Sequence, residues 1–170
     1  MSESGGARTG DIAHAIGEAV AAERSGKGFG LAGAALKREL AARRRRLLEQ
    51  HSRGDVIVAK MAVAMDEALG ALFANAAEEL PPKARLALVA TGGYGRGGLA
   101  AYSDIDLLIL HSGVADAGVK GFVDALLYPL WDAGLTVGQG VHTPASAMRL
   151  ASSDMTAMTA YLDSRLLFGD

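Results

Sequence analysis

The sequence predicts an α+β protein, a helical N-terminal region followed by a small α/β sandwich whose mixed sheet has at least three strands. Three observations carry this reading. Up to Pro81-Pro82 the apolar residues recur at helical spacing. Beyond Lys83 two short, continuous apolar runs flank a cluster of glycines, as buried strands do. Helical and strand patterns then alternate to the C-terminus.

The first segment, 1–10, is small and polar and reads as a disordered tail, neither signal peptide nor membrane anchor. Asp11 opens a short helix with Ile12, Ile16 and Val20 on one face, closing near Ser25-Gly26. A second helix runs from about Leu31 to Gln50, with Leu36, Leu40, Leu47 and Leu48 as its apolar residues. It contains Arg43-Arg44-Arg45-Arg46. Successive helical residues point about 100° apart, so this run reads as solvated helix surface rather than a dedicated anion site. Asp55 begins a third helix, striped by Ile57, Met61, Met65, Leu69, Leu72 and Phe73, which read as core packing. Pro81-Pro82 ends the helical region, assigned to 11–82, because neither proline donates a backbone hydrogen bond.

The remaining segment, 83–170, opens with the strand Leu86-Ala87-Leu88-Val89-Ala90 and continues with Ile105-Asp106-Leu107-Leu108-Ile109-Leu110. A helix over about 116–133 carries Val119, Phe122, Leu126, Leu127 and Leu130, with a kink expected at Pro129 and an end at Gly134. Leu135 to Val141 reads as a third strand. Thr143-Pro144 is a helix start, hydroxyl cap then proline. A last helix is expected from Asp154 to Leu167, stopped by Gly169.

Bulk properties narrow the function. In 170 residues, 50% hydrophobic, there is material for one ordinary core. A net charge of −2 argues against a general nucleic-acid binder. The absence of cysteine excludes disulfides and thiolate metal sites. No apolar run approaches the ~20 residues that span a bilayer, so no membrane partner is expected and the cytoplasm is the default compartment.

The chemistry concentrates between Thr91 and Asp106. Gly93, Gly95 and Gly98 satisfy the dinucleotide fingerprint, and Asp116 lies near the ribose-binding distance. The next strand begins too soon after Gly98 to admit the crossover helix that fingerprint requires. A second reading uses both ends of the segment. In a strand, alternate side chains share a side, so Asp104 and Asp106 project together while Ile105 enters the core. Two adjacent carboxylates repel unless a cation lies between them, and magnesium, or manganese, suits oxygen ligands completed by phosphates. Gly92 and Gly93 allow backbone amides close to a phosphate, and Arg96 can add a charged donor or remain a solvated loop cation. Nucleotidyl transfer is the chemistry such a pair serves. A bland alternative remains, a glycine turn beside a solvated acidic strand end.

The strings Gly92-Gly93-Tyr94-Gly95-Arg96-Gly97 and Tyr102-Ser103-Asp104-Ile105-Asp106-Leu107-Leu108-Ile109-Leu110 resemble the signature of the bacterial bifunctional uridylyltransferase/uridylyl-removing enzymes. The resemblance extends from about Leu36, through Leu130-Trp131-Asp132 and Val137-Gly138, to the segment from Asp163 to Asp170. It implies a DNA polymerase β-like nucleotidyltransferase core at 83–170 and transfer of UMP from UTP to a tyrosine of the PII signal protein. It further implies Asp104 and Asp106 as catalytic metal ligands and Gly92 and Gly93 as the phosphate-binding glycines; Arg96 and Ser103 complete the expected substrate contacts. Gly98, Ala101, Gln139 and His142 depart from the family pattern, and no third carboxylate is evident between Leu135 and His142. No adjacent His-Asp pair occurs, so the uridylyl-removing activity and the glutamine-sensing ACT domains are expected to be absent from these residues. Two other functions fit the same strings: a related adenylyltransferase acting on another protein, and a non-catalytic nucleotide-binding or interaction module.

Overall fold

The computed structural model describes residues 11–51, 53–78, 80–81, 84–113 and 116–170. The tail expected at 1–10 and the boundary residues Pro82 and Lys83 lie outside them. Three helices come first, α1 (Asp11–Arg24), α2 (Leu31–Gln50) and α3 (Gly54–Ala77). They are followed by β1 (Leu86–Ala90), a single helical turn α4 (Gly92–Gly95), β2 (Ile105–His111), α5 (Asp116–Asp132) and β3 (Val137–His142). The chain then forms α6 (Pro144–Ser153), α7 (Met155–Leu162) and β4 (Arg165–Gly169). This is an α+β architecture with a mixed four-stranded sheet in the order β3-β2-β1-β4. β1 runs antiparallel to both β2 and β4, whereas β2 and β3 are parallel and joined through α5.

The stripes expected from helical spacing contribute to one core shared with the sheet. Ile12 and Ile16 of α1, Leu36 of α2, and Met65, Leu69 and Leu72 of α3 join Leu126, Leu127 and Leu130 of α5 in one core. Its sheet side is Leu88, Ala90, Ile105, Leu107 and Ile109. Burying Leu, Ile or Met side chains of this kind contributes about 1.5–3 kcal/mol each. On the other face Ala87, Val89 and Leu108 form a smaller cluster with Leu110 and Tyr161 of α7. Leu48 falls off the stripe and is 56% exposed. The arginine run diverges as its helical geometry requires. Arg43 pairs with Glu67 of α3 at 3.3 Å, and the Arg44 guanidinium lies 4.7 Å from the centre of the Tyr102 ring.

Two expectations are corrected. The third strand begins at Val137 rather than Leu135, because the Leu135 amide donates to Leu130 O (3.1 Å) and closes α5, with Gly134 at φ +81°. The helix expected from Asp154 to Leu167 ends at Leu162, and residues Arg165–Gly169 form a strand instead. Asp154 caps α7, its Oδ1 accepting from the amides of Thr156 (2.7 Å) and Ala157 (3.1 Å). After the turn at Asp163-Ser164 the chain pairs with the outer edge of β1, where Phe168 reaches Phe73 of α3 at 5.7 Å between ring centres. The backbone hydrogen bonds of β1 and this aromatic contact are non-local, and they outweigh the local helical spacing of Leu166, Leu167 and Tyr161.

Candidate active site

β1 is buried along its whole length and delivers Thr91 and Gly92 at its C-terminal end. Because β2 is antiparallel, its N-terminal residues lie at that same end, with Ala90 opposite Leu107. The Thr91 amide donates to Asp106 O at 3.0 Å and fastens the glycine turn to the carboxylate strand. On the other flank, the parallel register sets Gly138 of β3 beside Asp106.

This places the Asp106 side chain in a slot made by two glycines. A β-carbon built on Gly138 would stand 2.3 Å from Asp106 Oδ1, and one on Gly92 would stand 3.0 Å from Oδ2. Gly92 also has φ +56°, which L side chains adopt only with strain. Gly93 differs: a β-carbon there would meet nothing nearer than Arg96 Nη2 at 3.7 Å. Packing around it therefore does not demand glycine at 93.

Gly93, Arg96, Ser103 and Asp104 line one cleft of about 410 Å³, together with Gly98 and the first turn of α3 at Asp55 and Val58. Gly92 and Asp106 lie outside that lining. Asp104, exposed, immediately precedes β2, and Asp106, half-buried, is its second residue. Neither carboxylate has a hydrogen-bond or ion-pair partner among the described residues. Asp55 adds a third carboxylate to the cleft wall, but Arg53 grips it at 2.6 and 3.1 Å and holds it below the usual carboxylate range. Among the described residues no group of three such side chains converges closely enough to hold a metal by itself. Oxygen-only donors on Asp104 and Asp106, with coordination left for waters and phosphates, fit a hard cation such as magnesium.

Arg96 is placed differently from a simple phosphate donor. Its Nη1 pairs with Asp163 Oδ2 at 2.6 Å, which turns it toward the corner between α7 and β4. The Ser103 hydroxyl donates to Ala100 O at 2.9 Å and, with the Ser103 amide at 3.2 Å, closes the turn before Asp104.

Behind the glycines is a cluster that local spacing does not reveal. Tyr94, 1% exposed, donates its hydroxyl to Asp66 of α3. Arg165, the first residue of β4, makes a two-pronged bond to the same carboxylate at 2.8 and 3.1 Å and lies 5.4 Å from the Tyr94 ring centre. Burial first, and then Asp66, raise the Tyr94 phenol well above its ordinary value, so it remains a donor. The Asp66 hydrogen bonds likewise raise Arg165, keeping it charged. A β-carbon on Gly95 would stand 1.9 Å from the Asp163 carbonyl oxygen, so the turn and the α7–β4 corner touch backbone to backbone. The roles of Gly138 and Asp66 are not legible locally: Gly138 shows only as a glycine in a strand pattern within the family-like Val137-Gly138 segment, and Asp66 as an acid on a largely apolar helix.

A model of the nucleotidyltransferase domain family matches residues 72–138, from the end of α3 through the glycine turn and both aspartates to the Gly138 wall of the slot. The chain carries a nucleotidyltransferase domain. It is 37% identical over 131 residues to the bifunctional uridylyltransferase/uridylyl-removing enzyme of Erythrobacter litoralis, covering 74% of this chain and 14% of that protein. The enzyme of the same description from Streptomyces coelicolor is 42% identical over 131 residues, covering 76% of this chain and 15% of its own. That from a Bradyrhizobium strain is 40% identical over 141 residues, covering 79% and 15%. The chain thus spans about one seventh of the length of the curated relatives it matches. The likeness is thus to a nucleotidyltransferase domain and to proteins described as uridylyltransferases. No helix of the described residues is long and apolar enough to cross a membrane.

Proposed function

We propose that this nucleotidyltransferase domain transfers UMP from UTP to a tyrosine hydroxyl of the PII signal protein, in a reaction that depends on magnesium. The observation that carries the reading is the Asp106 slot: two glycines on separate elements leave room for one carboxylate, beside a second carboxylate that lines an open cleft. A merely solvated acidic strand end needs no such clearance. The relatives' description as uridylyltransferases supports the choice of nucleotide, and the PII acceptor rests on the sequence resemblance.

In this reading Asp104 and Asp106 hold magnesium, which when bound supplies charge neutralisation at the triphosphate. The first-turn amides at Gly92 and Gly93 face the phosphates, having no acceptor within their own helical turn. Arg96 exchanges Asp163 for a phosphate oxygen, a charge-assisted bond of the same kind. The acceptor oxygen bonds to the α-phosphorus, the bond to the bridging oxygen breaks, pyrophosphate leaves, and the phenolic proton passes to solvent. Ser103 maintains the turn that presents Asp104.

Incubation with α-labelled UTP or ATP, magnesium and PII, followed by identification of the labelled residue, tests this directly. Label from UTP on a PII tyrosine is expected. Label from ATP alone would overturn the nucleotide assignment. Absence of magnesium-dependent triphosphate binding up to millimolar ligand would overturn the enzymatic reading.

A further inference from the structure

A second cavity adjoins the phosphate cleft, and nothing in the chemistry described so far uses it. It is an apolar groove of about 430 Å³ between α2, α3 and the 99–103 loop, within the size range of small-molecule sites. Leu40, Ile57 and Met61 form its walls, with Leu99 and Ile105 on its inner side. Val58, Ala100 and Ser103 line both this groove and the cleft at Gly93 and Asp104, so the two spaces share a border. At its mouth stands Tyr102. This residue has φ +67°, the one positive φ outside glycine among the described residues, yet its side chain is 91% exposed. Packing therefore gives no return for the strained backbone, and such strain tends to persist where a function uses it. Arg44 lies over one face of the ring with its guanidinium 4.7 Å from the ring centre, and the high exposure of the side chain leaves the other face accessible.

We propose that this groove is the nucleobase subsite, with the open face of Tyr102 as its stacking surface and a pyrimidine bearing two carbonyl groups as its preferred occupant. The inference rests on the nucleotidyl-transfer reading of the adjoining cleft. Once the phosphates occupy the glycine turn and carboxylates, the base is the part of the substrate that needs an apolar slot and an aromatic face. Stacking on a tyrosine suits any base, so preference must come from polar groups. Arg44 and Lys37, the cations at this groove, only donate hydrogen bonds. They match the two carbonyl oxygens of uracil; the hydroxyls of Ser103 and Thr136, which also line the groove, donate or accept and suit either base, so the selectivity rests on the two cations.

Calorimetry of the chain in magnesium with UTP, ATP and inorganic tripolyphosphate separates base from phosphate recognition. Tyr102→Ala should weaken UTP about tenfold, from the usual worth of one stacked base, and leave tripolyphosphate unchanged. Tyr102→Phe, which keeps the aromatic face, should recover most of the UTP affinity lost in Tyr102→Ala. Ala41→Trp, placed on the exposed helix surface that borders the groove, should also weaken UTP and spare tripolyphosphate. Arg44→Gln should narrow the margin between UTP and ATP. Unchanged UTP affinity in both Tyr102→Ala and Ala41→Trp, or equal losses for UTP and tripolyphosphate, would overturn the subsite. Wild-type protein that binds no tripolyphosphate would instead overturn the phosphate cleft itself, a separate failure.

Discussion

A β-carbon at Gly138 would collide with the tip of the Asp106 side chain, whereas one at Gly95 would collide with backbone. The same substitution should therefore act in two different ways. Gly138→Ala is accommodated by rotation of a carboxylate, and alanine does not weaken a strand as glycine does. We expect transfer and metal-dependent triphosphate binding to fall at least tenfold with the melting temperature within a few degrees of wild type. Gly95→Ala must push the turn away from the Asp163 carbonyl and should cost about 1–3 kcal/mol of stability, the usual range for overpacking. Denaturant titration of the two variants checks the contrast. Asp106→Asn should abolish transfer and leave the fold intact, since removing one of two neighbouring carboxylate charges does not harm a metal-free protein. Gly93→Ala should lower triphosphate affinity more than stability, because the surrounding protein leaves that β-carbon free. Equal stability losses at Gly93 and Gly95 would show that both glycines serve only the turn.

At the scale of elements, α4 is too short to hold its own geometry and is clamped from two sides. Tyr94 ties it to Asp66 of α3 and thereby to Arg165 of β4, while Arg96 ties it to Asp163. The Arg96 pair is largely exposed and contributes little to stability, which leaves it free to be exchanged for phosphate. The buried phenol is the firmer tether. Tyr94→Phe should cost about 1–2 kcal/mol, the usual loss when a buried hydrogen bond is removed. It should also change the pH profile. The folded phenol titrates above its ordinary value of 10.0. Its contribution is complete below that value and is lost as the pH rises past it, because the unfolded chain ionises first. Thermal melts from about pH 8 to 11 should show a steeper alkaline decline in wild type than in Tyr94→Phe. Parallel curves would mean that the phenol titrates alike in both states.

For the whole molecule, the sheet order sets Phe168 of β4 apart from the Asp106 slot, although Arg165 at the start of that strand belongs to the clamp on the glycine turn. The Asp106 slot uses the end of β1, β2 and β3, while β4 lies on the far edge beyond β1. Phe168→Ala removes the ring that meets Phe73 and sits against Gly70. It should destabilise by about 2–3 kcal/mol, at or just below the low end for a buried phenylalanine, because Phe168 is half-buried. Triphosphate binding measured well below the melting transition should survive. Loss of binding in a folded Phe168→Ala protein would show that the edge strand also shapes the site.

Much of this protein is local and was therefore readable from sequence. The buried runs 86–90 and 105–110, the glycines between them and the alternation of Asp104 with Asp106 act through neighbours in the chain, and the helices up to Gln50 follow their own spacing. The site's remaining parts exist only through contacts between distant segments. The apolar residues Leu166, Leu167 and Phe168 fit a helix or a strand equally well until β1 offers its open edge. Gly138 is an ordinary weak strand residue until the parallel register sets it against Asp106. Asp66 is one of two adjacent acids on a largely apolar helix until Tyr94 and Arg165 arrive from two other elements. Sequence by itself determined most of the elements and the alternation that sets Asp104 and Asp106 two residues apart at the start of a strand, because backbone preference and side-chain alternation are short-range. Tertiary structure alone decided the fourth strand, the slot around Asp106 and the clamp on the glycine turn, because each depends on pairing and packing between residues far apart in the chain.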